Sequence, residues 1–250
     1  MIQALIAGLV YPFRALRIIG GTPRLWRFVL VPILVNVLVG ATLYAGLLFA
    51  GFRAIDGAVA TLPGWAAAFG ALLRVALIVL LLIGTGFVLV RFGVVLGAPW
   101  YARMSEQIEQ MQRGTLPEAG SGLAMALRDL GRALGFEMKK LVLVLLVGAL
   151  LLLLNFIPVA GQVLATAGSI ALGATIACLD FLDYPLERRQ LGFRQKLGAI
   201  RRHLPATGGF GLVALGLVSI PLLNLLAIPI CVAAGTLLFC ERMASDVQRV

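Results

Sequence analysis

From Phe28 to Phe52, between Arg27 and Arg53, the chain runs without a single Asp, Glu, Lys, Arg or His. A helix rises about 1.5 Å per residue, so this run can cross the roughly 30 Å hydrocarbon layer of a bilayer with some tilt. A second run, Ala66–Val90, is also long enough to cross; it holds one charge, Arg74, and Arg91 closes it. Composition extends the point to the whole chain. Hydrophobic residues make up 61% and charged residues 13%, against roughly 45–50% and about 25% in soluble chains. So few charges cannot cover a soluble globule of 250 residues. A soluble enzyme, a disordered tail protein and a secreted disulfide scaffold are excluded. The expected class is an all-α integral membrane protein.

Two further apolar runs are interrupted. Leu141–Leu179 carries no charge at all, but its middle reads Asn155-Phe-Ile-Pro158-Val-Ala-Gly161-Gln162. The piece before it, Leu141–Leu154, reaches about 21 Å as a helix and falls short of a span. Stretches of that length are more often re-entrant or interfacial. Leu204–Cys240 repeats the design: two short halves of equal length, Gly208–Ser219 and Pro229–Cys240, flank Ser219-Ile-Pro221-Leu-Leu-Asn224-Leu-Leu-Ala-Ile-Pro229. We expect two half-inserted helical hairpins, with two pairs of short full crossings as the alternative. The basic residues Arg14, Arg17, Arg24 and Arg27, then those from Arg91 to Lys140 and from Arg188 to Arg202, all fall in segments that either arrangement returns to one face, as the positive-inside rule requires.

Amphipathic stripes complete the layout. Ile2, Leu5, Ile6, Leu9, Phe13 and Leu16 fall at helical spacing, so the N-terminus can lie along the interface. Tyr101, Met104, Ile108 and Met111 do the same after an expected break at Ala98-Pro99; Leu123, Leu127, Leu130, Leu134, Met138 and Leu141 run on into the first hairpin. We read these stripes as core packing, separated by the Gly/Pro/Ser-rich linker Gly114–Gly122. The expectation is one membrane domain over 1–250: an interfacial helix 1–20, transmembrane helices 24–53 and 66–97, cytoplasmic amphipathic helices 100–140, a hairpin 141–179, a basic connection 180–207 and a second hairpin 208–240. Arg14 and Arg17 follow the apolar stretch Ile2–Phe13 instead of preceding it, so no cleaved signal peptide is expected.

The inventory of reactive groups is thin. Cys178, Cys231 and Cys240 show no C-x-x-C spacing and read as small core hydrophobes. His203 is the single histidine and has no second His, Cys or carboxylate cluster beside it in sequence. Nucleophile-elbow, Walker, dinucleotide and zinc-protease patterns are absent, so no catalytic residue, metal or cofactor is assigned. The net charge of +10 fits anionic headgroups, and no nucleic-acid motif accompanies it.

Two features point to anions. In Gly21-Thr22-Pro23-Arg24-Leu25-Trp26-Arg27-Phe28, Thr22 suits an N-cap and Pro23 the first helical position. A helix start turns unpaired N–H groups and its positive dipole end outward, and two arginines add charge-assisted donors. The other reading is that Arg24 and Arg27 snorkel to headgroups. Each hairpin's returning helix would also begin inside the membrane, where Gln162 and Asn224 either donate to an anion or satisfy backbone freed by proline. Arg74, a third of the way into its run, snorkels by default; the alternatives are a late helix start or a wet path.

In order, Arg27–Asn36 (RFVLVPILVN), Glu106–Glu109 (EQIE), Asn155–Gln162 (NFIPVAGQ), Leu182–Glu187 (LDYPLE) and Ile220–Pro229 (IPLLNLLAIP) resemble the CysZ sulfate permeases of the wider etoposide-induced membrane protein family. The resemblance runs from about Ala7 to Phe239. It implies two long transmembrane helices with two half-inserted hairpins, a homo-oligomer in the bacterial inner membrane, and sulfate uptake for cysteine synthesis. It also implies an anion site at a Gly-Leu-Arg motif followed by a second arginine, which aligns here with Arg24, Leu25, Trp26 and Arg27. The glycine has become Arg24 and the first arginine Trp26. Arg24, one turn before Arg27, supplies a charge there, while its side chain blocks the approach that glycine permits. After Asp183-Tyr184-Pro185 the chain carries Glu187-Arg188-Arg189, where the family often has a shorter polar pair with a histidine. The expected function is passive permeation of sulfate or a related oxyanion, since no nucleotide-binding motif is present and no buried acid suggests a proton relay. The alternative is a non-transporting scaffold that binds anionic lipid or protein partners.

Overall fold

The computed structural model describes residues 2–60, 63, 67–114, 116 and 123–247. Apart from Gly114 and Leu116, the expected linker 114–122 lies outside them, as does Ala66 at the expected start of the second span. The regular structure among the described residues is helical throughout: α1 (Ile2–Gly21), α2 (Pro23–Val59), α3 (Ala67–Arg113), α4 (Leu123–Leu154), α5 (Ala160–Glu187), α6 (Phe193–Arg202), α7 (Leu204–Val218), α8 (Pro221–Leu238), a π-helical turn (Phe239–Met243) and α9 (Ala244–Val247). They divide into two units, Arg27–Trp100 and Met1–Trp26 with Tyr101–Val250.

The unit Arg27–Trp100 is an antiparallel helix pair. Tyr44 Oη donates to the Ile78 carbonyl at 3.3 Å, Gly51 lies against Leu77, Arg74 meets Asp56 at 2.5 Å, and Gly70 lies against Val59. Leu30, Leu34, Leu38, Leu80, Leu82, Ile83 and Phe87 are all exposed. A helix pair that is apolar on its outer surface needs lipid or another chain around it. Both helices outrun the expected spans. α2 has 37 residues, roughly 55 Å at 1.5 Å each, and α3 continues through Pro99 to Arg113. The expected break at Ala98-Pro99 is therefore not a helix end. The division between the units falls one residue later, after Trp100.

In the other unit α1 packs on α7 and α8, and α5 packs on α4, α7 and α8. The α1–α7 contact is made by backbone. A Cβ on Gly8 would lie 2.0 Å from the Ala206 carbonyl oxygen and 2.9 Å from the Phe210 nitrogen, and one on Gly209 would lie 2.3 Å from the Leu5 oxygen. Neither neighbour can rotate away. Gly8→Ala should cost at least about 1–3 kcal/mol by overpacking, whereas Gly20→Ala, with nothing within 4 Å, should not destabilise. Thermal unfolding in detergent checks both.

The hairpin turns form for different reasons. After α4, Asn155–Val159 reverses the chain; Asn155 Nδ2 donates back to the Leu151 carbonyl at 3.2 Å, and Val159 takes φ 61°. The second reversal is much tighter than Ser219–Pro229. Ile220 is extended, Pro221 opens α8, and Pro229 lies inside that helix. A proline removes one helical hydrogen bond without ending a well-packed helix, and α8 is packed on α1, α5 and α7. The expected connection 180–207 is largely helical, since α5 runs on to Glu187 and α6 fills Phe193–Arg202.

The stripes divide. Tyr101, Met104 and Ile108 are fully buried, as core packing requires, but Met111 is exposed. Leu134, Met138 and Leu141 also face outward, with Phe136 turned inward instead. In a membrane protein an apolar face can meet lipid, so helical spacing alone does not identify the core. On α1 the buried face is Gly8, Tyr11, Pro12, Ala15 and Ile19, and Ile2, Ile6, Phe13 and Leu16 point out.

Candidate functional site

The start of α2 is built as its sequence suggests. Thr22 stands just outside the helix and Pro23 is its first residue. The Leu25 amide donates to the Thr22 carbonyl at 2.9 Å and its side chain is fully buried, so Leu25 anchors the turn from within. Trp26 Nε1 donates to the Ile19 carbonyl at 2.9 Å, tying the turn back to α1. Arg24 and Arg27 are both exposed, and neither is ion-paired among the described residues. The Arg27 guanidinium lies 4.6 Å over the Phe28 ring. The unit boundary passes between Trp26 and Arg27.

The remaining predicted residues are dispersed. Gln162 is exposed in the first turn of α5, and Asn224 is buried in the first turn of α8, its amide nitrogen bonded to the Ile220 carbonyl at 2.9 Å. The side chains of both make no hydrogen bond among the described residues; backbone repair at the first turn falls to Asn155. Arg74 is paired with Asp56, both substantially exposed. His203 has a partner that local sequence did not reveal: its Nε2 lies 3.2 Å from Asp246 Oδ2 on α9. Cys178 and Cys231 are fully buried, and the Cys178 thiol donates to the Thr207 carbonyl at 2.9 Å.

The structure also contains buried charge clusters. Glu109 is fully buried. Its Oε2 accepts from Arg188 Nη2 at 2.6 Å and Nε at 3.1 Å, and its Oε1 accepts from Arg189 Nη2. Burial raises the Glu109 carboxyl, but the hydrogen bonds and charges of Arg189 and Arg188 outweigh it and leave it below the usual carboxylate range. On another face Lys196 of α6 is buried between Asp183, at 2.5 Å, and Glu187, with its Nζ 4.4 Å above the Phe136 ring. Glu241, in the π-helical turn, takes both Arg14 nitrogens at 2.6 and 2.8 Å and the Tyr11 hydroxyl at 2.9 Å. The signal in the sequence was two acids one helical turn apart, Glu106 and Glu109, and the doublet Arg188-Arg189 far along the chain. Nothing local linked them.

Among the described residues, five helical stretches, Ile2–Gly21, Pro23–Val59, Phe69–Val88, Ala160–Glu187 and Leu223–Val247, are long and apolar enough to cross a bilayer. The chain is a multi-pass helical membrane protein. The family described as Sulfate transporter CysZ/Etoposide-induced protein 2.4 matches residues 11–229, and the chain belongs to it. A protein named Sulfate transporter CysZ from Pectobacterium atrosepticum is 28% identical over 237 residues, covering 94% of this chain and 85% of its own length. Its namesake from Pseudomonas aeruginosa is 30% identical over 215 residues, 86% of this chain and 87% of its own. That of Salmonella typhimurium is 27% identical over 223 residues, 88% of this chain and 86% of its own. The relatives' names denote transport and give the scaffold alternative no support.

Proposed function

We propose that the chain is a passive permease for sulfate, or an oxyanion of the same shape and charge, in the bacterial inner membrane. The observation that carries this is the family match over residues 11–229, with relatives named as sulfate transporters along nearly the whole chain. Arg24 and Arg27 take the anion at the start of α2, where exposed guanidiniums without acidic partners keep their donors available. At depth, Gln162 and Asn224 offer amide donors at the starts of α5 and α8, where the helix dipole favours an anion. The α4–α5 and α7–α8 reversals are the half-inserted hairpins of this reading. The exposed apolar faces of α2 and α3 are covered by lipid and by further copies of the chain.

Purified protein reconstituted in liposomes should admit labelled sulfate down its gradient without nucleotide or an imposed proton gradient. Uptake no higher than in empty vesicles, with the folded protein confirmed in the same vesicles, would overturn the reading.

A further inference from the structure

We infer that Arg188 and Arg189 form a second oxyanion site, distinct from the start of α2, in which Glu109 is an internal counter-ion that weakens binding enough for release. The inference rests on the oxyanion-permease reading and adds a place along the path.

The first observation is charge. Two guanidiniums face one carboxylate, and Glu109 is the only acid ion-paired with either of them among the described residues. The Arg188 and Arg189 side chains are 16% and 11% exposed, and that of Glu109 is fully buried. The cluster thus holds an uncompensated positive charge largely out of water. Charges so placed are stabilised only by a close partner of opposite sign.

The second observation is donor geometry. Glu109 bridges the arginines with one oxygen to each, as two oxygens of a tetrahedral oxyanion can. Arg188 Nη2 also donates to Ser105 Oγ at 2.9 Å. Thr236 Oγ1 spends its proton on the Val232 carbonyl at 2.8 Å, so Ser105 is the donor in the 2.8 Å Ser105–Thr236 contact. That chain is closed and holds Arg188 in place. Arg189 is held by the Pro185 carbonyl at 2.9 Å and by the Phe239 ring, 4.4 Å from its guanidinium carbon. With both arginines fixed, Arg188 Nη1 and Arg189 Nε still have no hydrogen-bond acceptor among the described residues. Rigid guanidiniums, unused N–H donors and a residual positive charge suit a divalent oxyanion better than a halide, because guanidinium donors engage two oxygens at once.

The test is calorimetric titration of sulfate into the full-length protein in detergent, in the wild-type chain and on an Arg24→Ala/Arg27→Ala background. Glu109→Gln keeps the shape and removes the opposing charge, so sulfate should bind about tenfold tighter or better, given the strength of a charge at ion-pair distance. Arg188→Gln leaves a neutral Glu109–Arg189 pair that should fold, and it should weaken binding about tenfold or abolish it at this site. Unchanged or weaker binding by folded Glu109→Gln, or wild-type binding by Arg188→Gln on the double-variant background, would overturn the site. Should Glu109→Gln not fold, the Arg188→Gln titration decides alone. Liposome uptake separates the two readings. Normal flux with an indifferent Arg188 removes this site and leaves the permease, while sulfate binding at Arg188 without flux does the reverse.

Discussion

Arg24→Ala/Arg27→Ala should bring labelled-sulfate uptake close to that of empty vesicles, while the protein keeps its thermal stability. Each arginine contributes charge-assisted hydrogen bonds worth about 1.5 kcal/mol or more, so losing both should weaken binding at the helix start about a hundredfold. Both residues are exposed and outside any ion pair among the described residues, which is why stability should not follow activity. Arg27→Lys should fall between wild type and alanine, because it keeps the charge but not the two-pronged donor. Wild-type uptake by the double variant would move the entry site away from α2 altogether.

The largest loss of stability should come from Lys196→Ala. Lys196 is buried against Asp183, Glu187 and Phe136 and fixes α6 to α4 and α5. Breaking a buried pair by removing one partner costs about 3–5 kcal/mol. Asp183 and Glu187 stay about 30% exposed and take up water once released, so about 3 kcal/mol is expected here. The apparent unfolding temperature in detergent should fall accordingly. Adding Asp183→Asn should recover much of the loss, since Glu187 keeps its ion pair with Arg132 at 3.1 Å and the Asp183 carboxylate is the one left uncompensated. A fall under about 1 °C in the single variant would mean that α6 is held by Phe193, Ala199 and Ile200 instead.

Which features were legible follows from the distance over which their causes act. Phe28–Phe52 declares a long helix because a charge-free apolar run admits little else, and Asn155-Phe-Ile-Pro158 declares a reversal because its breakers lie together. Pro229 and Pro99 misled because one missing hydrogen bond is a small local cost. Each proline is absorbed into a helix, α8 or α3. The outward turn of Leu134, Met138 and Leu141 was hidden for a reason particular to membranes, where apolarity is equally suited to core and lipid. Arg24 and Arg27 stood out as neighbours at a helix start. Glu109 with Arg188, and His203 with Asp246, became partners only when distant helices met.

The π-helical turn Phe239–Met243 has a bearing on how this C-terminus is compared with others. One extra residue in a helical turn rotates everything beyond it by about 100° relative to an unbroken α-helix. Phe239 lies under Arg189, Glu241 clasps Arg14, and Asp246 faces His203 from the far side of the insertion. A homologue one residue shorter here would keep its greasy interior and yet swing its tail out of phase. An alignment that closes the gap by residue identity alone would then set the wrong carboxylate opposite the histidine.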